Sequence, residues 1–484
     1  ELIESSLRNL ASLHRGRKVV VSHHLLRDLA WRDRLAAHGV GDPTTYAKAL
    51  GTEEELLEAL RRRLYEEDPP SEDFLRLWEG WRNLVRPAFL KSLNEVAPPP
   101  GEPDPLERVM PEFARRVGLE EPLCYLQNPL ELFRDLFESD ALIAGMFRIA
   151  HSWDAASPLE HGMGLIKLLT LLGFTDYGCL QGGTHSAAHA LYRTLTEDGG
   201  RAFTHAEVRR VLIEHGRATG VELADGTRVG ARVVVSTLSP QQLLEITGRE
   251  HWPARTVRRI EGLSRWRICI TWYTWALHEL PRFAEAEAKV PDIARVGAVA
   301  IGTKDPEALA RNTYLRYLGR WVWEPNLLLI RYSLHDQTRA PEGKAVILTE
   351  DFQPGAHCFD RRQWQELKRR HAEQVLGTLR RVAPNMTWDN VIGYCACTPF
   401  DHCRNLNMAP TGNWGIVDHT PTQLGRFRPV PELARHRTPI RGLYATGSAW
   451  PMTGGCWPGQ GYTCYKAMAE DLGLRRVWEE RGRR

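Results

Sequence analysis

Hydrophobic and polar positions along the chain change period several times, and each change marks an element. Leu56, Leu57, Leu60 and Leu64 recur at helical spacing behind a capping signal at Thr52–Glu55, and a second helix from Ser71 carries Phe74, Leu75, Trp78, Trp81 and Leu84 on one face. Helical spacing returns at Leu132–Phe137, Ala141–Ile149, Glu366–Val382 (with Leu367, Val375, Leu376 and Leu379 inward) and Tyr462–Leu474. Strand patterns occupy His205–Ile213, Arg232–Thr237, Asn326–Ser333, Lys344–Thr349 and Leu443–Ala445. The clearest alternation is Arg267–Trp275, which sets Cys269, Thr271, Tyr273 and Trp275 on one face and Ile268, Ile270 and Trp272 on the other. Ala224–Thr227 reads as a hairpin turn and Pro98–Pro105 as an extended linker. Helices and strands interleaved in this way predict an α/β fold.

The glycines give that fold a purpose. Leu443–Ala445 ends at Gly447, and Gly454, Gly455, Gly459 and Gly461 follow before the last helix. Strand, glycine loop and helix bring backbone close to a flat or charged group and aim free N–H groups at an anion. With its order of residues from Thr438 to Gly461, the segment resembles the C-terminal FAD-contacting motif of phytoene-desaturase-like flavoproteins, the family of carotenoid desaturases, isomerases and retinol saturase relatives. A second stretch is similar to the same family: Gln181-Gly-Gly-Thr followed by a helix, the Gly199-Gly200 turn, the strand to Ile213, the hairpin and the strand to Thr237.

The resemblance implies a discontinuous Rossmann-like FAD-binding domain and a substrate domain of antiparallel sheet plus helices. The implied boundaries are a mostly helical substrate part at 1–175, a cofactor segment at 176–250, the substrate sheet and helices at 251–390, and a C-terminal cofactor segment at 391–484. It implies FAD contacts at Val208, Ser236, Thr237, Gly447, Ser448, Gly454, Gly455, Trp457, Gly459, Gln460 and Gly461. It also places Asp418, His419 and Gln423 in a loop near the active site, where they are the candidate catalytic side chains. As turn residues and loop caps they have an equally ordinary role. The family's start, strand–GxGxxG–helix, is not found near the beginning of this sequence. The expectation is that this unit is truncated, absent or supplied by a partner chain.

Composition narrows the readings. Sixteen tryptophans are unusual, and Trp272, Trp275, Trp321, Trp323 and Trp450 fall on strands or loops expected around a pocket, which suits a hydrophobic, polyene or isoprenoid small molecule. Flavin carries out the redox step in such enzymes, which accounts for the lack of a hydrolytic triad or HExxH. The 63 basic and 60 acidic side chains nearly balance and give no argument for nucleic acid. Nine scattered cysteines suggest free thiols in a reducing, cytoplasmic setting. Cys395, Cys397, His402 and Cys403 lack the CxxC spacing of zinc knuckles, so no metal is expected. No apolar run reaches ~18 residues, which leaves peripheral contact as the only membrane association to expect from the family. Two functions stay open: a FAD-dependent oxidoreductase making, removing or moving C–C double bonds, with an amine oxidase of related fold as a variant, and a non-catalytic or shared-flavin subunit.

Overall fold

The computed structural model describes residues 72–173, 180–408, 410–451 and 459–479. The expected capped helix from Thr52, and Gly454, Gly455 and Trp457, lie outside these residues. The first described part is a helical layer: α1 (Glu72–Gly80), α2 (Arg86–Asn94), α3 (Pro105–Arg116), α4 (Pro129–Leu136), α5 (Asp140–Asp154) and α6 (Gly164–Gly173). Caps set its boundaries. Asp104 and Glu107 exchange hydrogen bonds of 2.9 Å in a capping box, so Pro105 opens α3 and does not extend the linker. Asn128 and Glu131 do the same for α4, three residues before the expected start at Leu132. Trp81, Phe113, Phe133, Phe147 and Leu168 fill the layer's core.

After α7 (His185–Glu197) come three antiparallel strands, β1 (Val208–Glu214), β2 (Arg217–Leu223) and β3 (Arg228–Gly230). Beyond them β4 (Val234–Ser236) pairs in parallel with β10 (Leu443–Ala445), joining two segments about two hundred residues apart. Between these two lie α8 (Pro240–Thr247), α9 (Ala254–Glu261) and a five-stranded antiparallel sheet in the order β6–β7–β8–β5–β9. Its strands are β5 (Ile270–Leu277), β6 (Ala298–Ile301), β7 (Leu327–Ile330), β8 (Ala345–Phe352) and β9 (Val391–Cys397), and the helices α10 (Pro306–Tyr317), α11 (Arg361–Arg380) and α12 (Pro399–Asn405) accompany it.

Three expectations need adjustment. Because β9 pairs with β5 along six residues, the substrate sheet runs past 390 to Cys397. Strand β7 stops at Ile330, since the chain turns into a short helix at Tyr332 while Arg331 donates to the Val296 carbonyl. Helix α11 starts at Arg361, five residues early, because Asp360 and Gln363 form a capping box there. The α/β architecture itself is as expected, with one cofactor-type parallel pair and one antiparallel sheet backed by helices. Among the described residues no helix is long and apolar enough to cross a membrane, and the seven described cysteines are all free.

The two faces of the large sheet differ. Tyr273, Trp275, Leu277, Leu329 and Ile347 pack on Ala372, Val375, Leu376 and Leu379 of α11. On the other face, Trp272, Glu350 and Phe352 meet Arg148, His151 and Ser152 of α5.

Burial also sets the response to acid. Desolvation holds His371, His402 and His436 down at about 4, and pushes His151 and His419 down as well. Each ring stays neutral in the fold and takes up a proton on unfolding, so its stabilisation is complete above 6.5 and is lost as the pH falls towards 4. Asp351, pushed up to about 6 by burial, has the opposite sign and offsets part of this. The net expectation is a loss of several kcal/mol between pH 7 and pH 4.5. In His436→Gln that loss should shrink by roughly 2–3 kcal/mol. Urea unfolding at the two pH values measures it, and an unchanged difference would show that the ring is not held neutral.

Candidate functional site

The site is assembled at the carboxyl ends of β4 and β10. Pairing continues past the strands, with Thr446 N donating to Ser236 O at 2.9 Å, so Ser236–Thr237 and Gly447–Ser448 leave the sheet side by side. Gly447 has φ +109°, and a Cβ there would lie 3.2 Å from the Thr237 carbonyl oxygen. Only glycine fits both the backbone angle and that close approach. The last helix, α13 (Gly459–Leu472), begins against the same strand ends: Thr446 Oγ1 donates to Gln460 O at 2.7 Å, and His436 and Thr463 share a 2.8 Å hydrogen bond one turn later. Gly459 and Gln460 are buried and Gly461 is half-buried. The Arg217–Arg441 bridge is parallel, so β2 runs with β10; Val208, which pairs with Leu223 at the far end of β2, therefore lies towards the same carboxyl-end side. In open parallel sheets the carboxyl ends are where dinucleotides bind, and a helix start beside them suits a phosphate. The glycine that no side chain could replace and the converging strand and helix ends fit a flavin dinucleotide.

Beside this edge stands an aromatic and aliphatic wall. Ala155, Ile268, Ile270 and Phe352 form a buried cluster with Trp272 and Trp414 packed on it. The two indoles meet edge to face at 4.7 Å, and His402 sits 5.4 Å from Trp272. Trp272 Nε1 donates to Glu350 at 3.0 Å. Wall and strand edge are joined by one side chain, Arg428, which is completely buried. Its Nη2 donates to Gly415 O (2.6 Å), Val417 O (3.1 Å) and Ser448 O (2.8 Å), and its Nη1 to Asp418 O (3.3 Å) and Gln423 O (3.0 Å). Burial pulls this guanidinium down to about 9, so it is charged at neutral pH.

The candidate catalytic residues take different positions. The Asp418 carboxylate accepts from Ser264 Oγ, the Trp266 and Arg267 amides and Asn413 Nδ2, which uses its acceptor capacity to fasten the entry to β5. Gln423 accepts from Ser264 N and donates to the carbonyls of Ser264 and Asp418. Both act as clamps. His419 differs: its Nδ1 must donate to the Trp153 carbonyl at 2.8 Å, and its buried Nε2 has no hydrogen-bond partner among the described residues. Its ring stacks 4.2 Å from Trp153.

The tryptophans also separate. Trp275 is fully buried under α11 and donates to Thr349 at 2.9 Å, while Trp450 is fully buried in the core around Leu243, Trp252 and Leu443. Trp321 packs on His371 and Trp364, and Trp323 lies exposed under Arg370. Of the five, Trp272 reaches the wall. Sequence reasoning passed over Trp414, Trp153 and Arg428; the Arg-Pro pair at 428–429 was the available signal for the last.

A sequence profile of the flavin containing amine oxidoreductases matches residues 21–282. The chain belongs to the flavin-containing amine oxidoreductase family. As a member it is a FAD protein of the oxidoreductase class, with phytoene desaturases among its distant relatives. It is 28% identical over 383 residues to pyridine nucleotide-disulfide oxidoreductase domain-containing protein 2 of Rattus norvegicus, covering 75% of this chain and 65% of that protein. A limonene dehydrogenase component from Castellaniella defragrans is 23% identical over 362 residues, with 71% and 64% covered. The neurosporene-forming phytoene desaturase of Cereibacter sphaeroides is 24% identical over 253 residues, with 51% and 46% covered. The chain thus spans just under two thirds of the length of the first two relatives.

Proposed function

We propose that this family member adds or removes hydrogen across a C–C bond of a hydrophobic, isoprenoid-type substrate. FAD, when bound, supplies the two-electron acceptor or donor for that step. The observation that carries the reading is the Arg428 bridge, which holds the Trp272–Trp414 wall through Gly415 and the strand edge through Ser448 with the same nitrogen. An apolar substrate lying on the wall would be desolvated and oriented against the cofactor edge.

Charge speaks against an amine. A cationic substrate needs an uncompensated carboxylate or an electron-rich cage. The carboxylates behind the wall are already engaged: Asp154 with Lys167, Glu350 with Arg148, and Asp418 with its donors. The relatives whose names refer to limonene and phytoene support the same direction. Anaerobic mixing tests it. Limonene or a carotenoid precursor should bleach the visible flavin band, or its product should restore the band of the reduced protein, while benzylamine and putrescine leave it unchanged. Bleaching by amines alone would overturn the proposal. A protein that stays colourless with added FAD would assign the chain to a subunit whose flavin is held elsewhere.

A further inference from the structure

We propose that His185 and His189 form a two-point chelate for a late first-row transition dication such as nickel, copper or zinc. The two stand four residues apart at the start of α7, on one helical face. Both are exposed, and their rings lie 4.4 Å apart at 52°. Neither ring makes a hydrogen bond or ion pair among the described residues; each meets only the other. Metal–imidazole bonds of about 2.0–2.1 Å place two nitrogens on one ion about 3 Å apart. Rings this close reach that spacing by side-chain rotation alone. Water would complete the coordination, and affinity should follow the usual order, with copper tightest.

The helix has a use for such a clasp. Of its thirteen residues only Ala190 is buried, and Thr184 makes no side-chain cap bond. A helix of this length gains little stability by itself. A metal joining its first two turns stabilises the segment that follows Gly182 and Gly183. Those glycines are tied to the substrate sheet: Gly182 N donates to Asp336 at 2.7 Å, and Arg339 holds Asp336 and the Leu180 carbonyl. Metal occupancy therefore tightens the link between α7 and the sheet half of the molecule.

Nickel chloride titrated into the full chain, followed by calorimetry and by hydrogen exchange, tests the site. One ion per chain should bind, with slower exchange across 185–197. His185→Gln and His189→Gln should each weaken binding at least tenfold, and the double variant little further, because either loss breaks the chelate. His161→Gln, at another exposed histidine, should bind as the parent does. Binding that is unchanged in His189→Gln, or exchange in α7 that is indifferent to nickel, would overturn the proposal. These side chains are on the surface, so none of the variants endangers folding.

Discussion

Arg428→Met should produce a protein that releases FAD on gel filtration and has lost on the order of 3–5 kcal/mol of stability. Methionine keeps much of the side-chain length but donates nothing. The carbonyls of Gly415, Val417, Asp418, Gln423 and Ser448 would then lose the donor they share. A buried acceptor left unmet costs about 1–3 kcal/mol, and local relaxation recovers only part of the sum. Arg428→Lys should fail nearly as badly, because one ammonium with three protons cannot serve five acceptors arranged for a planar fork. Comparing the two variants separates geometry from charge: a lysine variant that retains flavin like the parent would mean that the positive charge alone matters. FAD content and urea unfolding are the two readouts. A methionine variant unchanged in both would remove Arg428 from its place as the bridge.

The second large effect is expected at Lys167. Its ammonium lies 2.6 Å from Asp154, and both side chains are wholly buried. Burial pulls the lysine pKa down, Asp154 pulls it up, and the balance falls on the low side. Lys167→Met strands a carboxylate in the interior and should cost about 3–5 kcal/mol. Lys167→Met combined with Asp154→Leu should recover most of that, as an apolar pair of similar volume often does. Recovery will be incomplete, because Asp154 also accepts from Ala156 N at 2.8 Å and so shapes the exit from α5. Asp154 adjoins Trp153, whose carbonyl holds His419, so the single variant should also disturb the wall. A double-mutant cycle by urea unfolding decides the matter; additive losses would mean that the two charges do not depend on each other.

Local signals in the sequence carried far. The strand at Leu443–Ala445, the turn at Gly447 and the helix beyond were readable because each depends on neighbours within a few residues. The alternation around Trp272 was readable because a sheet with two packed faces enforces it. Pairing between distant strands was not: nothing local in Val391–Cys397 says that it will lie along β5 and move a boundary. The tryptophans show the same limit. Trp272 and Trp275 share a strand and a composition, yet α11 covers one face and the wall the other, so position relative to a distant helix separates core from site. Arg428 was invisible for another reason: all five of its acceptors are backbone carbonyls, which leave no residue pattern to recognise. Asp418 and Gln423 were noticed as polar loop residues, but only their bonding partners reveal clamps.

The parallel pair of β4 and β10 has a consequence for biosynthesis. Its halves are residues 234–236 and 443–445. At typical elongation rates the ribosome takes roughly 10–40 s to add the intervening chain. During that interval the five-stranded sheet, complete at Cys397, can form, while Val234–Ser236 waits without its partner. The cofactor edge is thus the last part of the nascent protein to close, so flavin capture follows release of the C-terminal segment and cannot guide the folding of what came before.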